Sequence, residues 1–169
     1  MTRDDAYDPR AIANKILDIR SESEQPLTIM QLIKLAYIAD GWSLALLDKP
    51  LANENPEAWR YGPVYPSIYN AFSGIGDRPV MKRACVRGTQ IPITEEFAPQ
   101  EEELLRKVVN SYGKLNAFTL SNLTHQPGTP WSKAYEHDVY SDINTDDIKR
   151  HFESLKAKRL VKNKTAQPA

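Results

Sequence analysis

The stretch from residue 29 to residue 47, IMQLIKLAYIADGWSLALL, puts apolar side chains on nearly every face of a helix, so it is stable in water only if other elements wrap it. Its start is marked twice. Thr28 and Gln31 have the spacing of a capping box, and Leu27 and Leu32 that of a hydrophobic staple, which together set the first turn and the angle at which the chain enters it. Lys34 and Asp40 interrupt the run. Each would cost about 2.5–3.5 kcal/mol at the centre of a membrane-inserted helix, so the run reads as the core helix of a soluble domain. Both charges then need partners or an edge from which to snorkel.

The elements around it follow from caps and periodicity. Asp8 caps a first helix with Pro9 at its first position and Ile12, Ile16 and Ile19 in one stripe. Asp48, Lys49 and Pro50 break the central helix, and turn formers at 53–56 separate two short extended pieces, 51–52 and 57–59, that can pair. Gly62 and Pro63 interrupt an aromatic segment, and Pro66 opens a short helix through Ile68, Tyr69 and Phe72. Residues 79–93 alternate apolar and polar around Arg87, Gly88 and Thr89, which predicts a small hairpin. A further helix starts near Pro99 and ends at Gly113, a helical turn covers 119–123, Thr129 and Pro130 start another, and Asn144 with Asp147 caps the last.

These elements predict an α+β fold, predominantly α-helical: a central buried apolar helix wrapped by other helices, with one or two small β-hairpins. Residues 1–160 are expected to form one domain, because 169 residues can bury a core without a disulfide or metal. Residues 161–169 are expected to be a flexible C-terminal tail. The 22 basic and 22 acidic side chains cancel, so no global field draws the chain to nucleic acid or to an anionic membrane. The N-terminus lacks the apolar core of a secretion signal, and a cytoplasmic location is expected.

The usual chemical motifs do not occur. Three histidines, His125, His137 and His151, and the single Cys85 match no zinc spacing, and residues 74–78, GIGDR, lack the features of a phosphate loop. No catalytic residue, cofactor or metal is assigned. Asp40, Glu57 and His125 could still be gathered in space by the fold. On an extended segment Trp59 and Tyr61 point to one face and Arg60 to the other, and two roles are open for them. The rings seal the segment against the central helix, or Arg60, Tyr65 and Tyr69 join an exposed patch of the composition found at protein hot spots. Arg78, Lys82, Arg83 and Arg87 form a basic strip that is either solvated or meets an acidic partner. His125, at a helix exit, can bond terminal carbonyls, and Trp131 reads as a core anchor.

Three segments carry a family likeness: LIKLAYIADGWSLA at 32–45, AWRYGPV at 58–64 with Pro66 and Tyr69, and LSNLTH at 120–125 with Trp131. The sequence resembles the Panacea domain family of SocA-like antitoxins. The resemblance implies an antitoxin of a type II-like toxin–antitoxin module of bacteria or their phages, which neutralises a cognate protein toxin by direct binding. Two alternatives are a proteolytic adaptor that presents the toxin to a housekeeping protease, with a protease or chaperone as a further partner, and a phage or mobile-element enzyme with a dispersed active site. Trp59, Tyr61, Gly62, Pro63, Thr124, His125 and Trp131 match the signature and are expected to be mainly structural. Arg60, Tyr65, Tyr69, Arg78 and Arg83 are the candidate partner-binding residues. The resemblance leaves no room for a helix-turn-helix module, so direct DNA binding is not expected.

Overall fold

A computed structural model describes residues 2–23 and 25–166, with side chains to residue 162. The chain folds as α1 (Pro9–Ser21), α2 (Ile29–Leu47), β1 (Glu57–Trp59), β2 (Gly62–Val64), α3 (Pro66–Ala71), α4 (Pro99–Tyr112), α5 (Ala117–Thr124), α6 (Pro130–His137) and α7 (Thr145–Ala166). The predominantly helical architecture with one small hairpin matches the expectation. Helix α2 lies at its centre, touching α1, α3, α4, α5, α7 and β2. Fourteen of its nineteen residues are buried. It is the one described helix long and apolar enough to cross a membrane, and here its apolar surface is covered by the rest of the fold.

The helix starts are where local chemistry puts them. The Thr28 hydroxyl accepts the Gln31 N–H while the Gln31 side chain accepts the Thr28 N–H, completing the capping box, and the staple residues Leu27 and Leu32 are both buried. Asp8, Asn116, Thr129 and Asn144 cap α1, α5, α6 and α7, each accepting one N–H of the first turn. At the far end of α2, Asp48 takes the left-handed conformation that closes many helices. Gly41, in mid-helix, is explained by packing: a Cβ there would lie 2.1 Å from the Phe152 ring of α7. The missing side chain lets α7 approach α2, and the ring meets Trp42 and Tyr37 edge-on.

One expectation changes on contact with the structure. The strand 57–59 pairs antiparallel with 62–64, in the register Glu57–Val64, Ala58–Pro63 and Trp59–Gly62, rather than with 51–52. Ala52 instead bridges Tyr7, which ties the segment before α1 to the segment after α2. Residues 84–93 close on themselves as the expected small hairpin, in minimal form: the Ile93 N–H donates to the Ala84 carbonyl and the Val86 N–H to the Ile91 carbonyl, on either side of the bridge Cys85–Pro92. The buried Asn14 of α1 binds both arms, donating to the Ala84 and Ile93 carbonyls and accepting the Ala84 N–H. A side chain on a helix thus ties this hairpin to α1. At the C-terminus α7 continues to Ala166, and residues 167–169 of the expected tail lie outside the described residues.

Both charges of α2 are satisfied inside the fold. Asp40, fully buried, accepts two bonds from one guanidinium nitrogen of Arg3, two backbone N–H groups from Leu51 and Ala52 and the Tyr65 hydroxyl. One carboxylate therefore holds together the N-terminal segment, the chain after α2 and the start of α3.

Candidate functional site

The site is built on the β1–β2 hairpin, whose two-residue turn, Arg60 and Tyr61, projects from the central helix. Alternate carbonyls along this turn each receive one side-chain donor from a different helix. The Trp131 indole of α6 donates to the Trp59 carbonyl at 2.6 Å, the Ser121 hydroxyl of α5 to the Tyr61 carbonyl at 2.6 Å, and the Lys34 amine of α2 to the Pro63 carbonyl at 2.7 Å. Backbone groups at a turn tip normally face water. Here three distant segments of the chain satisfy them and fix the turn in place.

Gly62 makes this arrangement possible. Its φ of 116° is a conformation that side chains rarely adopt, and a Cβ would lie 3.1 Å from Lys34 Cε, Lys34 Nζ and Thr124 Oγ1. Thr124 turns its own hydroxyl back to the Leu120 and Ser121 carbonyls. His125 follows, with Nδ1 against the Ser121 carbonyl and its ring edge-on to Trp131 at 5.2 Å. A carbonyl only accepts, so Nδ1 carries the proton. Trp131 in turn stacks on Tyr135. Gly62, Pro63, Thr124, His125 and Trp131 thus all belong to one clasp around the hairpin.

Lys34 is the clasp's buried amine. It is fully buried with no carboxylate partner among the described residues, and desolvation pulls its amine down to about 7. Its proximity to Pro63 was not readable from sequence spacing.

Outside the clasp the same hairpin presents aromatic rings. Ala58 faces the core, whereas Trp59 turns outward, half-buried, with Tyr69 and Tyr140 edge-on at centroid distances of 4.9 and 5.5 Å and its indole N–H bonded to Glu57. Tyr61 is 56% exposed, Tyr69 45% and Tyr140 62%. The Arg60 guanidinium lies over the Tyr61 ring at 5.3 Å. These groups and the first turns of α2 line a hollow of about 720 Å³, with Met30, Ile33, Lys34 and Asp77 also in its lining. A smaller hollow, about 470 Å³, lies at the other end of α2 between α4 and α7, lined by Trp42, Leu46, Tyr112 and Arg159.

The five candidate partner-binding residues do not form one patch. Arg60 and Tyr69 border the large hollow. Arg78 and Arg83 lie on the loop beyond it; Arg78 bonds the Gly74 and Ile75 carbonyls and Arg83 pairs with Asp18. Tyr65 has to be withdrawn from any exposed surface, because it is fully buried and donates to Asp40. Burial and then the neighbouring Asp40 charge push its hydroxyl well above the usual phenol range. Its position between the end of β2 and Pro66 turns it inward. Asp40, Glu57 and His125 each bond different groups, namely Arg3, the Trp59 indole and Ser121. No group of three or more His, Cys, Asp or Glu that could hold a metal ion occurs among the described residues. Tyr140, now prominent at the hollow, lies in a stretch with no periodic signal; only contact with β1 brings it there.

The family model of the antitoxin SocA-like Panacea domain matches residues 32–132, which span the clasp from Lys34 to Trp131. The chain is 32% identical over 130 residues to antitoxin SocA of Caulobacter vibrioides (strain NA1000 / CB15N), an alignment covering 75% of this chain and 69% of that protein. No solved structure matches the chain. The protein belongs to the SocA-like Panacea domain family.

Proposed function

We propose that this protein is the antitoxin of a toxin–antitoxin module, acting in the cytoplasm by stoichiometric capture of a cognate protein toxin rather than by turnover. Family membership and the likeness to antitoxin SocA support the class of activity. The observation that carries the binding mechanism is the exposed group of rings and guanidinium around Trp59, mounted on a hairpin whose carbonyls are tied to three helices. Aromatic side chains and arginine supply much contact area at modest entropic cost, and a rigid mount lowers that cost further.

The test is a titration of the purified protein against the purified product of the adjacent reading frame, recording complex mass and residual toxicity. Neutralisation ending at a fixed integer ratio, with a complex of matching mass, is expected. Full neutralisation far below one equivalent, leaving a covalently altered toxin, would overturn the proposal in favour of an enzyme. Neutralisation seen only when a cellular protease is present would select the adaptor mechanism.

A further inference from the structure

We propose that the hollow bounded by Trp59, Tyr61, Tyr69 and Tyr140 is the surface that receives the toxin, and that its occupant is a protruding apolar side chain of the toxin flanked by a carboxylate that pairs with Arg60. The inference rests on the antitoxin reading above and names its binding face.

Shape comes first. At about 720 Å³ the hollow is large enough to take several side chains of a partner. Three of its tyrosines are among the large exposed apolar residues of the chain, and Phe118, 75% exposed, follows directly on the lining residue Ala117. Rings at this exposure gain most when a partner removes them from water. In the second hollow, toward the other end of α2, the Trp42 ring already has a cation over it, Arg159 at 4.7 Å.

Charge narrows the occupant. Arg60, exposed on the lip, is the cation of the lining that meets solvent; it has no carboxylate partner among the described residues, and its guanidinium lies over the Tyr61 ring. Lys34 is fully buried and bonded to the Pro63 carbonyl. Asp77 is the acidic residue of the lining. An acidic group beside the inserted apolar one would complement Arg60, whereas a basic one would be repelled.

Backbone conformation adds an independent observation. Tyr140 has a φ of 67°, the left-handed region that favours glycine or asparagine. Its N–H is bonded to the Ala58 carbonyl, which holds the conformation, and its ring leans on Trp59 while remaining largely exposed. A bulky residue kept where glycine would be less strained, with little burial in return, is the pattern of a side chain retained for contact rather than stability.

The experiment measures affinity for the purified product of the adjacent reading frame, with the thermal midpoint of every variant recorded alongside. Tyr69→Ala should weaken binding about thirtyfold and Arg60→Glu at least about tenfold, with midpoints close to the parent. Tyr140→Gly should also weaken binding about tenfold while its midpoint stays level or rises, a combination that a merely structural tyrosine would not produce. Leu46→Ser, in the second hollow, should bind as the parent does. If the parent binds and the three hollow variants bind equally well, the antitoxin reading stands and this inference falls. It falls equally if Leu46→Ser alone weakens binding, or if Arg60→Glu breaks a homodimer or releases a co-purifying small molecule with toxin binding intact. A parent protein that does not bind sinks both.

Discussion

The two faces of the β1–β2 hairpin are made from adjacent residues and obey opposite rules. On the inner face, Ala58, Val64 and Tyr65 are buried, and the carbonyls of residues 59, 61 and 63 each have a dedicated donor. On the outer face, Arg60, Tyr61, Tyr69 and Tyr140 meet solvent. Residues matching the family signature fall mostly on the inner side. The contrast teaches that in this chain most of the motif residues hold the platform, while the side chains proposed to meet a partner stand beside them. Substitutions on the two faces should therefore separate cleanly into loss of fold and loss of binding.

The largest effect belongs to the inner side. Asp40→Ala would strand the Arg3 guanidinium in the core and remove the acceptor for two backbone N–H groups and the Tyr65 hydroxyl. Breaking a buried ion pair by deleting one partner costs about 3–5 kcal/mol, enough to unfold a domain of ordinary stability. Denaturant titration followed by circular dichroism should show a collapsed midpoint or no folded baseline. A midpoint near that of the parent would mean that the core tolerates the loss and that the inner face is less tightly coupled than its hydrogen bonds indicate.

Gly62→Ala should come next, at about 2 kcal/mol. It combines a backbone conformation unfavourable for any side chain with close approach to Lys34 and Thr124. Because the substituted position faces the clasp, the expected signature is a lowered midpoint, with affinity per folded molecule nearly unchanged. Loss of affinity at full stability would place Gly62 on the binding side and erase the distinction between the faces.

These inner contacts separate what was legible in the sequence from what was not. Caps were legible: Thr28 with Gln31, Asp8, Thr129 and Asn144 act within a few residues of themselves, so spacing alone identifies them. The wrapped nature of α2 was legible from its continuous apolar faces. The pairings Arg3–Asp40, Lys34–Pro63 and Trp131–Trp59 were not, since each joins segments whose approach depends on the whole fold. Gly41 makes sense only once Phe152 is known to press against it. The small hairpin within 79–93 was legible from its alternation around 87–89, whereas the part of Asn14, which binds both of its arms from α1, was not. At the site, the candidate residues Arg60 and Tyr69 lie at the hollow, whereas Tyr65 was assigned outward because no periodic pattern runs through the junction of a three-residue strand and a short helix.

Trp59 sits between the faces and sharpens the comparison. Its carbonyl belongs to the clasp and its indole to the hollow. A packed core tryptophan would lose about 3–5 kcal/mol on truncation to alanine. Half-burial and contacts with two movable tyrosines lower the expectation for Trp59→Ala to about 2 kcal/mol, and the backbone bond to Trp131 survives the substitution. Both the midpoint and the affinity should fall. A fall in only one of them assigns the indole to that face alone.

The last expected effect, a slope rather than a step and the most specific to the clasp, is a pH dependence from Lys34. Its amine is lowered to about 7 in the folded protein by desolvation, against about 10.4 in an unfolded chain. Between these values the unfolded state holds a proton that the folded state has released, so stability rises with pH across that window. Below about 7 both states are protonated and the full penalty of burying the ammonium applies. The slope cannot exceed about 1.4 kcal/mol per pH unit for one proton. Lys34→Met keeps the side-chain length and removes the titration, at the cost of an unbonded Pro63 carbonyl. The stability difference, parent minus Lys34→Met, should therefore grow in the parent's favour from pH 7 to pH 9.5 in paired urea titrations, while tyrosine ionisation, common to both proteins, cancels. A difference that stays flat would show that Lys34 keeps its proton against the Pro63 carbonyl throughout, and that the inner face of the hairpin is held by a charge rather than by a neutral amine.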